Sequence, residues 1–326
     1  MYQDEPLFAS QNDCYLDRII ANYSSSRGTL VSKRQDNTNT ISDWFFYLLI
    51  RFCIFLFSML PKSIIYLFTK VLTLSFYKLS KRRRLITIDN LQYAFPKKSA
   101  EEVSILAREV FVELSKTLAE IILMLSDRFD IDEAVVNKDE VLLKLKALRT
   151  QYPQGWIMLT AHFSNWELLA NFLAKHGYPM LAIGREGDNK LIDKHITIPF
   201  REKYGNRAIY KKKAAISILK ALKKGDIVGL LIDQKVHKSE GIRVKFFERE
   251  VYSTGLVATM KNKLDIEVLP LFIARIADGK YSIIIQDTIR EKGDIREMTQ
   301  NYNDVMQSVI TRYPSQWFWM HDRWKV

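Results

Sequence analysis

The stretch Gly155-Trp156-Ile157-Met158-Leu159-Thr160-Ala161-His162-Phe163-Ser164-Asn165-Trp166-Glu167-Leu168-Leu169 decides how the rest of the chain is read. The apolar run over residues 156–161 predicts a buried strand. From 166 to 174 the apolar side chains Trp166, Leu168, Leu169, Phe172 and Leu173 recur at helical spacing, and Gly177 supplies a stop. His162 therefore falls at a strand-to-helix corner. In α/β folds such corners open into the crevice beyond the C-terminal edge of the strands. On one continuous helix, His162 and Glu167 would project about 140° apart. They meet only if His162 lies in the turn and Glu167 in the first helical turn. Glu167 would then fix the imidazole tautomer and leave the other ring nitrogen free as a general base. The same residues carry a plainer reading: Ser164 and Glu167 fit S-x-x-E, a helix capping box.

The chain has 326 residues, 48% of them apolar, enough for one large α/β core. Lys and Arg number 49 against 37 Asp and Glu, a formal charge of +12 that calls for an acidic partner. Cys14 and Cys53 form no disulfide framework and belong to no zinc spacing, which places the chain on a reducing side. No internal repeat, P-loop or dinucleotide fingerprint is present. No His, Asp and Glu group has metal-ligand spacing, so neither metal nor cofactor is expected. A basic groove interleaved with stacking aromatics is also missing, which argues against nucleic acid.

Residues 1–43 read as a polar, poorly ordered extension with a short helix near 15–23. The apolar run starts too late for a secretory signal. Residues 44–60 are the most hydrophobic window; Pro61-Lys62 breaks it, and 63–79 is again apolar. Each half falls short of the ~20 residues that span a bilayer, and Arg51 is costly at the centre. Either 44–60 spans once, or the halves form a hairpin in one leaflet; two buried helices of a soluble core are the plain alternative. Trp44, Tyr47, Tyr66 and Tyr77, followed by Lys81-Arg82-Arg83-Arg84, favour an anionic membrane surface. Three regions follow: the extension 1–43, an anchoring helix or hairpin 44–80, and an α/β domain 81–326.

Beyond the anchor, helices are predicted over 99–126, opened by Ser99 and Glu102 as a capping box, and over 141–148. A strand over 178–183 leads to Arg185, then a helix over 190–204 and a short strand over 207–210. Lys211-Lys212-Lys213 precedes another helix. The apolar strand 227–232 ends at Asp233-Gln234. An edge strand over 242–247, a helix over 253–264, a hairpin of 266–274 with 281–287, and a helix over 303–312 complete the pattern. Alternating strands and helices give an α/β fold: a mixed, mostly parallel central sheet flanked by helices, with an N-terminal membrane-anchoring segment.

Taken in order, these stretches resemble the bacterial lipid A biosynthesis acyltransferases over residues 44–326. The resemblance rests on His162-Phe-Ser-Asn-Trp-Glu167, on Asn90-Leu91 with Phe95-Pro96, and on Arg185 with Asp188-Asn189 and Asp193. It also rests on 229–234, Phe246-Phe247 and the ending Tyr313-Pro314 through Arg323-Trp324-Lys325. The sequence departs from the family where Glu248 follows the Phe-Phe pair in place of Gly, where Asp322 replaces a basic residue, and in its longer extension.

The resemblance implies a glycerol-phosphate-acyltransferase-like fold. It implies transfer of a fatty acyl chain from an acyl-carrier-protein thioester to a hydroxyl of a lipid A precursor, on the cytoplasmic face of the inner membrane. His162, Glu167 and Arg185 are the expected catalytic residues: base, orienter, and cation for the oxyanion or an acceptor phosphate. Asn165, Trp166, Asp188, Asn189, Asp233 and Gln234 are expected at the substrate, Asp233 holding a turn or orienting Arg185. The basic clusters suit an acidic carrier protein or lipid phosphates. His321 reads as part of a packed aromatic cluster. The rival readings are an acyl-CoA-dependent membrane acyltransferase acting on another lipid, and a basic membrane-tethered binding protein without catalysis.

Overall fold

The computed structural model describes residues 39–210, 214–290 and 292–325. The extension up to residue 38 with its expected helix near 15–23, Cys14, and Lys211-Lys212-Lys213 lie outside the described residues.

Helix α1 (Ile41–Met59) and α2 (Lys62–Leu79) come first, then α3 (Lys81–Ala94) and the long α4 (Ala100–Leu125). Ser99 and Glu102 form the reciprocal capping box, the Ser99 amide donating to Glu102 Oε2 at 2.7 Å. Short α5 (Ile131–Ala134) and α6 (Lys138–Gln151) lead into β1 (Trp156–Thr160). There follow α7 (Trp166–Lys175), β2 (Met180–Gly184), α8 (Lys190–Ile192), a π turn (Asp193–Thr197), α9 (Ile198–Glu202) and β3 (Arg207–Tyr210). Next are α10 (Ala214–Lys223), β4 (Ile227–Leu231), β5 (Gly241–Phe246) and β6 (Arg249–Thr254). The series ends with α11 (Leu256–Lys263), β7 (Glu267–Ala277), β8 (Lys280–Ile285) and α12 (Ile295–Arg312).

Six strands form one sheet in the order β3-β2-β4-β1-β7-β8. All neighbours are parallel except β8, which returns antiparallel to β7. β1 and β4 lie side by side in register, Trp156 opposite Ile227 and Thr160 opposite Leu231. This pairing places the residues after β1 and those after β4 at one edge of the sheet. Both strands are almost wholly buried, as their continuous apolar sequences require. Two apolar layers sandwich the sheet: one holds Ile157, Leu159, Val228 and Phe272, the other Trp156, Met158, Leu169 and Phe172.

Three expectations are corrected. The stretch read as an edge strand, 242–247, is β5 of a separate two-stranded ribbon with β6, outside the main sheet. Ser253, read as a helix start, is the buried fifth residue of β6. The ribbon turns through Phe247 (φ 50°) and Glu248 (φ 59°), both left-handed as a type I′ turn requires. The predicted helix 190–204 is interrupted by the π turn, where the Asp193 carboxylate accepts from the Tyr210 hydroxyl and the Gly187 amide.

From Ile41 onward the chain is one compact unit. Helix α2 buries Ile65 against Ala119 and Leu123 of α4, while Leu67, Val71 and Leu79 of its other face stay exposed. Helix α1 buries none of its residues, yet both its ends are held. Asn189 Nδ2 donates to Asp43 O at 2.9 Å, and Arg128 Nη1 donates to the carbonyls of Phe57, Ser58 and Leu60 at 2.9, 3.0 and 2.7 Å.

Candidate active site

The corner after β1 is tight. Ser164 sits in the left-handed region at φ 52°, a strained setting for a residue with a Cβ. The C-terminal tail holds it there. The Ser164 amide donates to Gln316 O at 2.6 Å, the Phe318 amide donates to His162 O at 3.0 Å, and Phe163 bridges to Trp317. Ser164 is therefore not the cap of α7. Asn165 is, accepting from the Leu168 amide at 3.0 Å. The capping-box reading of Ser164 and Glu167 is corrected accordingly; Ser164 lacks the extended backbone that lets Ser99 cap α4.

His162 does not pair with Glu167. Its Nδ1 lies 2.9 Å from Asp233 Oδ1, and its backbone amide donates to Asp233 Oδ2 at 3.0 Å. Trp317 Nε1 donates to the same Oδ2 at 2.8 Å. Asp233 is 3% exposed. Burial alone would raise its pKa, but attraction to the His162 ring when that ring is protonated, and the hydrogen bonds from His162 and Trp317, hold the carboxyl below the usual carboxylate value. An ionised carboxylate only accepts, so Nδ1 carries the ring proton and Nε2 keeps its lone pair. Nε2 faces the Gln234 side-chain amide nitrogen at 3.2 Å. The imidazole remains 24% exposed, and the Trp166 ring meets it edge-on at 5.2 Å.

Glu167 is instead gripped by Arg201 of α9, whose Nη2 lies 2.5 Å from Oε1 and whose Nε donates to both oxygens at 3.1 and 3.2 Å. Arg201 passes close to Gly184 at the end of β2. Arg185 points outward with its side chain 80% exposed and bonds Asp188 at 2.9 Å; neither His162 nor Asp233 is among its partners. It shares the C-terminal edge of the sheet with His162, two strand spacings away, roughly 10 Å. Asp233 thus orients His162 rather than Arg185.

Asn165 is fully buried and donates to Glu120 Oε2 at 3.1 Å. Its surroundings are structural: Glu120 also takes the Arg275 guanidinium and the Tyr281 hydroxyl, and Arg275 Nε donates to Glu113 at 2.8 Å. Asn189 caps α8 and clamps α1, as described. The hydrogen bonds of both are to the protein: Asn165 joins the corner to α4, and Asn189 joins α8 to α1. The basic cluster 81–84 is partly spent within the protein: Arg83 donates to Met320 O, Arg84 to Tyr77 O, and Arg82 pairs with Asp322 at 3.7 Å. His321 is packed, and burial pushes its imidazole pKa down.

Sequence reasoning missed Arg201, the Glu120–Arg275–Tyr281 hub and Arg323. Arg323 is 1% exposed and donates to Gln234 O at 3.0 Å and Tyr252 O at 2.9 Å, fixing the loop after β4. With no carboxylate within ion-pair distance among the described residues, burial lowers its pKa to about 10. Only its place in the Trp-rich tail could have signalled it. Among the described residues no three His, Cys, Asp or Glu side chains gather as metal ligands would.

A mostly parallel sheet bearing a carboxylate-held imidazole at its C-terminal edge is an α/β architecture able to support base-assisted group transfer. The sequence model of the bacterial lipid A biosynthesis acyltransferases matches residues 31–326, and the chain belongs to that family. It is similar to the lipid A biosynthesis palmitoleoyltransferase and lauroyltransferase of Escherichia coli K12 and to a lipid A biosynthesis acyltransferase of Shigella flexneri. Each is 27% identical over 252 residues, 76% of this chain and 80% of the relative. The protein is an acyltransferase of lipid A biosynthesis.

Proposed function

We propose that the protein moves a fatty acyl chain from an acyl-carrier-protein thioester to a hydroxyl of a lipid A precursor of the Kdo-lipid IVA type, with His162 Nε2 as general base. The carrying observation is the chain Asp233–His162–Gln234, which leaves one ring nitrogen basic and reachable. The acceptor hydroxyl displaces the Gln234 amide at Nε2. Its proton passes to Nε2 as its oxygen attacks the thioester carbonyl, and Asp233 stabilises the imidazolium. Collapse of the tetrahedral intermediate breaks the C–S bond, and Nε2 returns the proton to the leaving sulfur. Glu167 acts at one remove: it holds Arg201 at the sheet edge, where a cation meets the developing oxyanion or an acceptor phosphate. Arg185 and Asp188 lie further out on the same edge, and Trp166 walls the imidazole.

Membrane attachment is part of this reading. Helix α1 is long and apolar enough to cross a bilayer. Its two clamped ends support the one-leaflet alternative, in which α1 and α2 form a hairpin with Phe45, Leu48 and Phe52 of the first and Leu67 and Val71 of the second in lipid. The formal charge of +12 suits both the anionic leaflet and an acidic carrier.

The test is to incubate membranes carrying the protein with a panel of acyl-carrier-protein thioesters and lipid A precursor, and to read product masses. Wild type adds one acyl mass. His162→Ala, still membrane-bound, adds none; turnover at the wild-type rate in that variant refutes the base.

A further inference from the structure

Between α1 and the domain lies a cavity of about 410 Å³, away from His162. That volume falls within the range of ligand sites. Its apolar walls are Ile54, Phe55, Leu125, Ile196 and Phe200. Its charged lining is Arg51, Lys203 and Asp127, with the His195 imidazole beside them. Lys203 and Asp127 are ion-paired to each other. Arg51 has no carboxylate partner among the described residues, so the lining keeps one uncompensated cation.

That cation sits midway along a helix whose outward side chains include Phe45, Leu48 and Phe52. Arg51 is exposed, and on a helix lying in the interface a cation there stands at the level of the lipid phosphates. A second cavity of about 340 Å³ shares Met124, Asp127, Phe200 and Lys203 with the first and continues toward Asn171 of α7.

We infer that this groove binds a phosphorylated acyl lipid drawn from the leaflet, its phosphate on Arg51 and its chain along Ile54, Phe55 and Phe200. The inference rests on the reading of α1 as lipid-facing. A guanidinium matches phosphate oxygens in its planar fork, and the Lys203 ammonium and the His195 ring offer further donors. A carboxylate brings one negative charge where a phosphate monoester brings up to two, and a neutral lipid leaves Arg51 unpaired.

The experiment is calorimetric titration of the full chain in dodecyl maltoside with dioctanoyl phosphatidic acid. Dioctanoylglycerol, octanoate and inorganic phosphate are the comparison ligands. One saturable site per chain is expected for the phosphatidic acid, with each comparison ligand at least tenfold weaker. Arg51→Gln weakens the phosphatidic acid at least tenfold and leaves dioctanoylglycerol unchanged; Arg51→Lys retains most of the binding. Wild-type affinity in Arg51→Gln overturns the inference, as does absence of a saturable site. Inorganic phosphate or octanoate binding as tightly as the phosphatidic acid overturns it too. No thioester is present, and His162→Ala must bind as wild type does. Failure of this site is thereby separated from failure of the transfer reaction.

Discussion

The loop after β4 and the first turn of α7 each present one carboxylate at the C-terminal edge of the sheet, and they are used differently. In the loop, Asp233 is buried and takes the His162 ring, the His162 amide and the Trp317 indole. On the helix, Glu167 is bound by the Arg201 guanidinium, whose side chain is 34% exposed. A carboxylate under the strand ends, met by one imidazole and neutral donors, sets a tautomer. A carboxylate at a helix start, met by a solvent-reachable arginine, sets the place of a charge. The proximity of Glu167 in sequence is no guide to which job it has. Asp233 is 71 positions from His162 and adjacent only because β4 lies beside β1.

The sharpest way to break this contrast is Asp233→Asn. With Nδ1 no longer facing an acceptor-only group, kcat should fall by about 10⁴-fold, the scale seen when a serine-protease triad loses its carboxylate. Transfer assays on purified variants read it; a loss below tenfold would remove Asp233 from the mechanism. Glu167→Gln should cost less, about 10²-fold, because it misplaces Arg201 and spares the base. Arg201→Ala should match it, and the double variant should be no worse than either single one. Additive losses would mean Glu167 acts on its own.

How much of this was legible follows from the same two carboxylates. Periodicity located β1, α7 and the corner between them, because each is a local pattern of a few residues. It also found the Ser99–Glu102 box. The identical spacing at Ser164 and Glu167 misled. There the tail, more than 150 residues downstream by number, sets the Ser164 backbone through Gln316 and so withdraws the serine from capping. Pairing of Asp233 with His162 needed the strand order, which no local pattern carries. Strand β5 was read from its alternation, but its partner β6 was missed for a further reason: it opens on the charged Arg249 and Glu250, and it pairs with β5 across the turn at Phe247 and Glu248.

Acid titration sharpens the contrast further. Asp233 has a lowered pKa in the fold, so it contributes stability above its unfolded value of 3.8 that is lost as pH falls through the folded pKa. His321, depressed by burial, contributes stability that is present above its unfolded value of 6.5 and is lost as pH falls through the folded pKa. Denaturant unfolding from pH 7 to 3 should show both declines. His321→Phe should flatten the first and Asp233→Asn the second; unchanged slopes would contradict the assigned burial. The smallest effect is expected at the ribbon turn. Glu248→Gly relieves a left-handed residue and should raise stability by about 1 kcal/mol, read as a higher Tm with transfer unchanged.

The most direct measurement is ¹⁵N NMR of the protein labelled on its five histidines, with His162→Ala to assign the resonance. The account predicts that the neutral His162 ring is protonated at Nδ1 and bare at Nε2, unaltered by Glu167→Gln and switched or averaged by Asp233→Asn. A ring protonated at Nε2, or one that answers to Glu167→Gln and ignores Asp233→Asn, would contradict it.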